Sequence, residues 1–168
     1  MYYCNNRRGK TTDRIRERGV NRGNTSLVAS TANNIYALVG VRLKTTHLGA
    51  FIQLVDYSAL CTSAAIYTYY ILLNPTIVGT ALTWTPLTNS AVEYAFGTSA
   101  TTLTGGTVLA TGVLQATTQN PDILKRAVES DLSIGSSIAG VRDELFIAIQ
   151  SFSSNETFYG AAVWNESF

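Results

Sequence analysis

The chain has 168 residues and a formal net charge of +1, which is the length of a single domain with room for a substantial core. Hydrophobic residues make up 46% of it and charged residues only 14%, well below the ~25% that is usual in soluble domains. Nine Tyr, three Pro and one Met favour β-structure, exclude a helical bundle and do not fit disorder. No apolar run reaches the ~18 residues of a membrane span and no secretory h-region is present, so we expect a soluble chain without a targeting segment.

Charge is distributed unevenly along the chain. Residues 1–24 carry seven basic and two acidic residues, a balance of +5, whereas the remaining 144 residues carry five basic and nine acidic ones, a balance of −4. This predicts a basic N-terminal arm over residues 1–24 and a charge-poor β-domain over residues 25–168. The residues that we assign to an anchoring arm are Arg7, Arg8, Lys10, Arg14, Arg16, Arg18 and Arg22.

The segments after the arm have the length and spacing of strands. They begin near Leu27 and are separated by turn residues, which predicts an all-β fold, an antiparallel, jelly-roll-like β-sandwich of eight or nine strands. The segments are 35–43, 50–57, 65–73, 81–85, 91–96, 101–103, 107–114, 144–152 and 158–164. The predicted core consists of Ile35, Leu38, Val41, Leu43, Ile52, Leu54, Ile66, Tyr70, Leu72, Leu82, Val92, Leu109, Ile147, Ile149 and Val163.

Two of the connections are predicted to be hairpins. Gly105-Gly106 can adopt the positive φ values of a two-residue primed turn, so the strands on either side of it should pair. The segments 145–152 and 158–164 enclose a polar loop and are nearly continuously apolar, which is typical of strands covered on both faces. Between these hairpins, Asn120-Pro121-Asp122 is a possible helix start, with a long excursion over residues 117–140 as the alternative.

The last hairpin and the missing surface charge together predict self-association. An uncovered apolar strand at a sheet edge aggregates unless a neighbour covers it, so we expect a homo-oligomer, a trimer or a higher ring. The residues that we assign to its interface are Phe146, Phe152, Phe158 and Trp164.

Candidate chemistry is sparse. His47 is the only histidine, and a surface or hydrogen-bonded role is favoured over that of a catalytic base. Cys4, His47 and Cys61 lack paired ligand spacing, so we expect no metal and no cofactor, and both cysteines as free thiols. Two further sets are predicted to be solvated or core residues rather than a glycosidase pair or a sugar platform. These are Asp56, Glu93, Asp143 and Glu144, and the aromatics Tyr67, Tyr69, Tyr70, Trp84 and Trp164.

Seven stretches of the sequence resemble segments of one known protein family. They are IRERGVN from Ile15, VRLKTTHLGA from Val41, YYILLNPTIVG from Tyr69, TWTPLTNSAVEYA from Thr83, TGGTVLATG from Thr104, SSIAGVRDELF from Ser136 and AVWNE from Ala162. As a set they resemble a domain of tailed-bacteriophage structural proteins, often the C-terminal part of a longer chain. The resemblance implies location in the virion and assembly rather than a known chemistry, and it transfers no catalytic residue.

The expected function is therefore a non-enzymatic virion protein that decorates a capsid or tail through its arm. The arm is expected to dock on another virion protein, the major capsid or a tail protein, because Asp13 and Glu17 interrupt the basic run and no aromatic is interleaved with it as single-strand binding prefers. A receptor- or glycan-binding appendage is one alternative. A small icosahedral shell protein with a nucleic-acid-binding arm is the other.

Overall fold

The computed structural model describes residues 15–63, 65–115 and 133–167, and it confirms the all-β sandwich. The described part holds thirteen strands rather than eight or nine, because Arg16–Asn21, Leu27–Ala29, Thr76–Gly79 and Ser133–Ile134 are strands outside the predicted segments; of segment 81–85, only Thr85 is in a strand. The described part also holds one 3-10 helix, Thr45–His47, and no helix long and apolar enough to cross a membrane. The strands are β1 Arg16–Asn21, β2 Leu27–Ala29, β3 Ile35–Leu43, β4 Phe51–Cys61, β5 Ile66–Leu73, β6 Thr76–Gly79, β7 Thr85–Pro86, β8 Val92–Ala95, β9 Thr101–Thr104, β10 Thr107–Gln115, β11 Ser133–Ile134, β12 Glu144–Ser151 and β13 Glu156–Ser167.

The strands form two antiparallel sheets. The five-stranded sheet has the order β1-β13-β4-β11, with β2 paired to another part of β13. The eight-stranded sheet has the order β10-β5-β12-β3-β8-β7, with β9 pairing with β3 and β6. Along β13 buried and half-buried residues alternate without interruption, which is the period-2 pattern of a strand with one face on the core.

The main core lies between the two sheets. It includes Leu38, Ile52, Ile147, Phe158 and Trp164, all 2% exposed or less. Burial raises the pKa of Tyr67 in this core to about 12, and its hydroxyl donates to the Ala59 carbonyl oxygen at 2.8 Å. Six residues of the predicted core are not buried, namely Ile35, Ile66, Tyr70, Leu82, Leu109 and Val163.

A second apolar cluster covers the outer face of the large sheet. Phe146 and Ala148 of β12 are fully buried there beneath Trp84 and Leu82, which belong to the segment that crosses this face. Trp84 meets Phe146 edge to face, with ring centroids 6.0 Å apart, and Gly40 leaves the space that these rings need. This cluster explains why β12 is apolar on both faces.

The prediction of a terminal hairpin is wrong. β12 pairs with β3 and β5 in the large sheet, whereas β13 pairs with β1, β2 and β4 in the small one. The polar loop between them therefore crosses from one sheet to the other. The covering that we assigned to a neighbouring subunit is supplied by the chain itself, because the second cluster lies on the outer face of β12.

The Gly-Gly prediction is correct for the backbone and wrong for the pairing. Gly105 and Gly106 have φ values of +65° and +78°, yet β9 pairs with β6 and β10 pairs with β5. Thr104 lies opposite Thr76 and Thr107 lies opposite Leu73, so one register continues through the two glycines. The two glycines therefore bend a long ribbon in which β5 and β6 pair with β10 and β9. They do not form the turn of a hairpin.

The folded domain begins earlier than the sequence indicates. β1 pairs with β13 from Arg16 to Asn21, and Arg22 is 4% exposed. The boundary after residue 24 is therefore too late. Arg7, Arg8, Lys10, Arg14 and Cys4 lie outside the described residues. So do the possible helix start at residue 120 and most of the alternative excursion over residues 117–140, of which only residues 133–140 are described.

Candidate anion-binding pocket

An open pocket of about 530 Å³ lies where β1 meets the end of β3 and the loop before β8. Its described lining consists of Arg16, Arg18, Lys44, His47, Asn89 and Ser90. Arg16 and Arg18 are two residues apart on one strand and therefore point to the same side of the sheet. Basic side chains from three parts of the fold thus line one concave surface.

Arg18 is held in place by two partners. Its Nε atom lies 3.4 Å from Oε1 of Glu166, and its Nη2 atom donates to the Asn89 carbonyl oxygen at 3.0 Å. The Glu166 carboxylate is itself fully buried and accepts from Ser90 Oγ at 2.7 Å and from the Ala91 amide at 3.1 Å. A buried carboxylate with these donors fixes the guanidinium above it.

Lys44 is positioned by backbone rather than by an acid. Its Nζ atom donates to the carbonyl oxygens of Leu87 at 2.6 Å and Ser90 at 2.7 Å. Carbonyl oxygens carry no formal charge, so these bonds orient the ammonium without neutralising it. His47, in the 3-10 helix, has Nδ1 2.8 Å from Oγ1 of Thr46, as the hydrogen-bonded role predicted for it requires.

The pocket is therefore a preorganised positive site. Arg16, Arg18 and Lys44 each carry a permanent positive charge, and the Glu166 carboxylate contacts Arg18. Cations that the protein already holds in place lose little further side-chain entropy when an anion binds. The arrangement can bind an oxyanion.

The structure divides the predicted arm residues into three groups. Arg16 and Arg18 line the pocket. Arg22, by contrast, lies inside the sandwich and donates to the carbonyl oxygens of Leu38 and Gly97, so it is a buried structural residue and not part of an arm. The other four lie outside the described residues.

The acidic residues that we weighed for catalysis have structural partners. Arg42 on β3 lies between two carboxylates: its Nε atom is 2.5 Å from Oε1 of Glu93, and its Nη1 atom is 2.6 Å from Oε1 of Glu144. Its guanidinium carbon is 4.0 Å from the centre of the Trp84 ring. Arg142 adds a second contact to Glu93 at 2.7 Å. Asp143 accepts from Asn74, and Asp56 accepts from the Tyr57 amide. Paired carboxylates in this network hold the outer face of the large sheet together.

The aromatic candidates lie mostly in the interior. Trp164 is fully buried, and Tyr67 and Tyr69 are 2% exposed or less. Tyr70 donates its hydroxyl to Gln150 Oε1 at 2.8 Å, and Trp84 lies between Arg42 and Phe146. These contacts agree with the core interpretation and leave no row of free rings for a sugar among these residues.

Three of the four residues that we assigned to an oligomer interface lie in the interior of the chain. Phe146, Phe158 and Trp164 are each 0% exposed within the single chain, so they cannot form a surface; Phe152 is 50% exposed. The sequence could not separate these cases, because a strand covered by its own chain and a strand covered by a partner have the same apolar pattern.

Of the two cysteines, the structure describes only Cys61. Cys61 is a buried free thiol with Sγ 3.2 Å from Ser63 Oγ. Within the described ranges, no group of three or more His, Cys, Asp or Glu side chains is placed to hold a metal ion.

Sequence analysis missed the contribution of Lys44, Asn89 and Ser90 to a site. Nothing in their spacing points to one, because Arg16 and Arg18 belong to the small sheet, whereas Lys44, Asn89 and Ser90 lie at the ends of strands of the large sheet. Only the packing of the two sheets brings them together. Comparison with models of known families, with characterised proteins and with solved structures gives no match. The functional proposal therefore depends on the residues, on their geometry and on the resemblance of the sequence stretches given above.

Proposed function

We propose that this chain is a non-enzymatic structural protein of a bacteriophage virion that decorates the capsid or tail and attaches through its basic N-terminal residues. The observation that carries the proposal is the position of β1. This edge strand leads directly from the basic residues of the arm to the pocket, where Arg16 and Arg18 join Lys44 and His47. The resemblance over most of the chain supports the same role.

The candidate acidic and aromatic residues elsewhere in the domain are consistent with a structural role in attachment. The acidic residues that could have served in hydrolysis are engaged with Arg42 and Arg142, and the ring best placed to bind a sugar, Trp84, packs against Phe146. These contacts favour decoration over a glycan-binding appendage. A shell protein with a nucleic-acid-binding arm remains the outcome of the test below if the arm proves to bind DNA or RNA.

The test removes the positive charge of the arm in the full chain. Replacing Arg7, Arg8, Lys10 and Arg14 by Gln leaves every described strand unchanged, so the domain should fold as before. We expect binding to particles that lack this protein to fall at least about tenfold, because several charge-assisted contacts are lost together. Co-sedimentation with particles measures this loss.

Two comparisons make that test decisive. Replacing Thr11 and Thr12 by Gln changes the same segment without altering its charge and should leave binding unchanged. Normal incorporation of the four-Gln variant would contradict anchoring by the arm. If the variant instead loses strongly salt-dependent binding to RNA or DNA, the shell-protein alternative replaces the proposal.

We also propose that the chain forms a homo-oligomer through β10 rather than through the terminal strands. β10 is an edge of the large sheet, and its nine residues include no charge and no proline. Among the other described edges, β1 carries Arg16, Glu17 and Arg18, and β7 contains Pro86. The edges β2, β6 and β11 have no more than four residues each. An uncharged edge of this length invites a strand from a second copy.

The mass in solution tests this second proposal. We expect light scattering to give at least two chains of 18.1 kDa, and pairing of β10 with itself gives a two-fold contact. Val113→Lys, at a position 60% exposed on β10, should shift the mass to that of one chain. Val78→Lys, at a position 47% exposed on β6, is the matched control and should leave it unchanged. A wild-type mass of 18 kDa contradicts the proposal.

A further inference from the structure

We infer that a turn over residues 137–141, called here the tip, inserts into an apolar hollow of a second copy of this chain, which inserts its own tip in return. The inference goes beyond the proposed assembly, because it concerns a surface other than β10. It is carried by an exposed apolar projection and an apolar hollow that lie side by side at one end of the small sheet.

The tip is a well-bonded turn. Gly140 donates its amide to the Ser137 carbonyl oxygen at 2.9 Å, and the Ser137 amide donates to the Val141 carbonyl oxygen at 2.8 Å. Gly140 has a φ of +79°, as expected at the end of a three-residue hairpin loop. Ser136 Oγ donates to the Leu48 carbonyl oxygen at 2.7 Å and fixes the base of the turn. These bonds define the shape of the tip before it meets a partner.

The tip displays aliphatic side chains where polar ones are usual. Ile138 is 110% exposed, which is full exposure, and Val141 is 68% exposed. Turn positions normally favour Gly, Pro, Asn, Asp and Ser. Residues 133–141 carry no charge, and charged residues are depleted at the core of interfaces. The tip therefore has the composition of a surface that is covered by a partner.

The hollow lies beside the tip on the small sheet. It has a volume of about 220 Å³, and Phe51 and Ile15, which are 52% and 70% exposed, supply its apolar walls. Its described lining consists of Ile15, Phe51, Gln53, Asn165, Glu166 and Ser167. Ser133 of β11 lies opposite Gln53, and the base of the tip follows three residues later at Ser136. Tip and hollow therefore belong to one continuous patch.

The tip and the hollow match in size and in chemistry. A cavity of about 150 Å³ can hold a benzene molecule, so a hollow of about 220 Å³ admits the side chains of Ile138 and Val141. The one charged residue of the described lining is Glu166, whose carboxylate is buried and accepts from Ser90 Oγ. Insertion of the tip therefore removes no exposed carboxylate of this lining from water.

The position of the hollow next to the tip points to a second copy as the occupant. When a projection and a matching hollow share one patch, a two-fold axis between two copies satisfies both at once. The contact involves few side chains, whereas a standard interface has about 20–30 residues a side. We therefore expect a weak contact, with a dissociation constant of about 0.1–1 mM.

The experiment measures self-association by sedimentation equilibrium of the full chain carrying Val113→Lys, which blocks the proposed contact through β10. We expect pairs of chains to appear between about 10 µM and 1 mM. Ile138→Ser in the same background should weaken this pairing at least about tenfold, because an apolar anchor is lost. The thermal midpoint should not change, since Ile138 is fully exposed.

Phe152→Ser is the matched control. It also replaces an exposed large apolar residue by Ser, at a position 50% exposed that follows the far end of β12, and it should leave the pairing unchanged. The comparison between the two variants does not depend on how β10 behaves, because both carry the same background substitution.

A mixing experiment identifies the occupant of the hollow. Phe51→Ser removes a wall of the hollow and keeps the tip, whereas Ile138→Ser removes the tip and keeps the hollow. Each variant alone should pair weakly. An equimolar mixture regains one of the two insertions and should pair at least about threefold more tightly than either component.

Three results overturn the inference. They are no pairing of the parent chain at 1 mM, a concentration at the weak end of the expected range, equal pairing by the parent and Ile138→Ser, and a mixture that pairs no better than its components. If the parent does not pair but binds phosphatidylglycerol vesicles, and Ile138→Ser does not, the tip contacts a lipid surface instead of a second copy.

Discussion

Replacing Arg22 by Met is expected to lower the free energy of unfolding by about 3–5 kcal/mol. Arg22 is 4% exposed, and its guanidinium donates to the carbonyl oxygens of Thr25 at 2.6 Å, Leu38 at 3.1 Å and Gly97 at 2.6 Å. Met has a similar length but no donor, so these carbonyls lose their bonds inside the protein. Each unsatisfied buried group costs about 1–3 kcal/mol.

The Leu38 carbonyl shows why this side chain matters. In the pairing of β3 with β12, Val39 lies opposite Ile147 and Ala37 lies opposite Ala148, so Leu38 is the extra residue of a β-bulge. A bulge leaves a residue outside the ladder, and here Arg22 supplies the missing donor. Burial lowers the pKa of Arg22, because removal from water disfavours the charged form of the guanidinium.

Urea unfolding followed by circular dichroism measures the effect. Arg22→Lys keeps one positive charge but lacks the fork, and it should lose an intermediate amount, about 2 kcal/mol. Glu17→Gln, at an exposed position of the preceding strand β1, is the control and should stay within about 0.5 kcal/mol of the wild type. A loss below about 1 kcal/mol in Arg22→Met would falsify the structural role of this residue.

Gly97→Ala should destabilise the domain by about 3 kcal/mol or more. A Cβ atom at Gly97 would lie 2.2 Å from the carbonyl oxygen of Ala37 and 2.8 Å from the Ala37 Cβ atom. Ala37 is on β3, which is hydrogen-bonded on both sides within the large sheet, so the backbone cannot move away without breaking pairs. The variant also displaces the carbonyl that accepts from Arg22.

Gly49→Ala is the matched control for this substitution. A Cβ atom at Gly49 meets nothing within 4 Å, so the same chemical change should shift the free energy of unfolding by no more than about 0.5 kcal/mol. The two variants are compared by thermal unfolding under identical conditions. Equal midpoints for Gly97→Ala and Gly49→Ala would show that the approach of Gly97 to β3 is not tight.

The candidate site could be predicted only in part. The excess of basic residues before residue 24 is visible in the sequence, and it pointed to Arg16 and Arg18. It also pointed to Arg22, which the structure buries, because a run of charges does not reveal which member turns inward. Lys44 is separated from β1 by more than twenty residues and follows a strand of the other sheet, so only the packing of the two sheets brings it to the pocket.

The sequence by itself determined the local conformation. Short segments with β-branched and aromatic residues form strands, and Gly105 and Gly106 adopt the positive φ values expected of them. These features depend on sterics and on the burial of one face, which are properties of neighbouring residues. The all-β class and the sandwich follow from them.

Only the tertiary structure decided which strands pair and what covers them. β12 and β13 are neighbours in the chain but belong to different sheets, and the strands on either side of Gly105 and Gly106 pair with other strands and not with each other. The free energy of pairing comes from contacts between residues far apart in the chain, such as Phe146 with Trp84 or Arg22 with Leu38. No local pattern records those contacts, because the same apolar strand can be covered by its own chain or by a second copy.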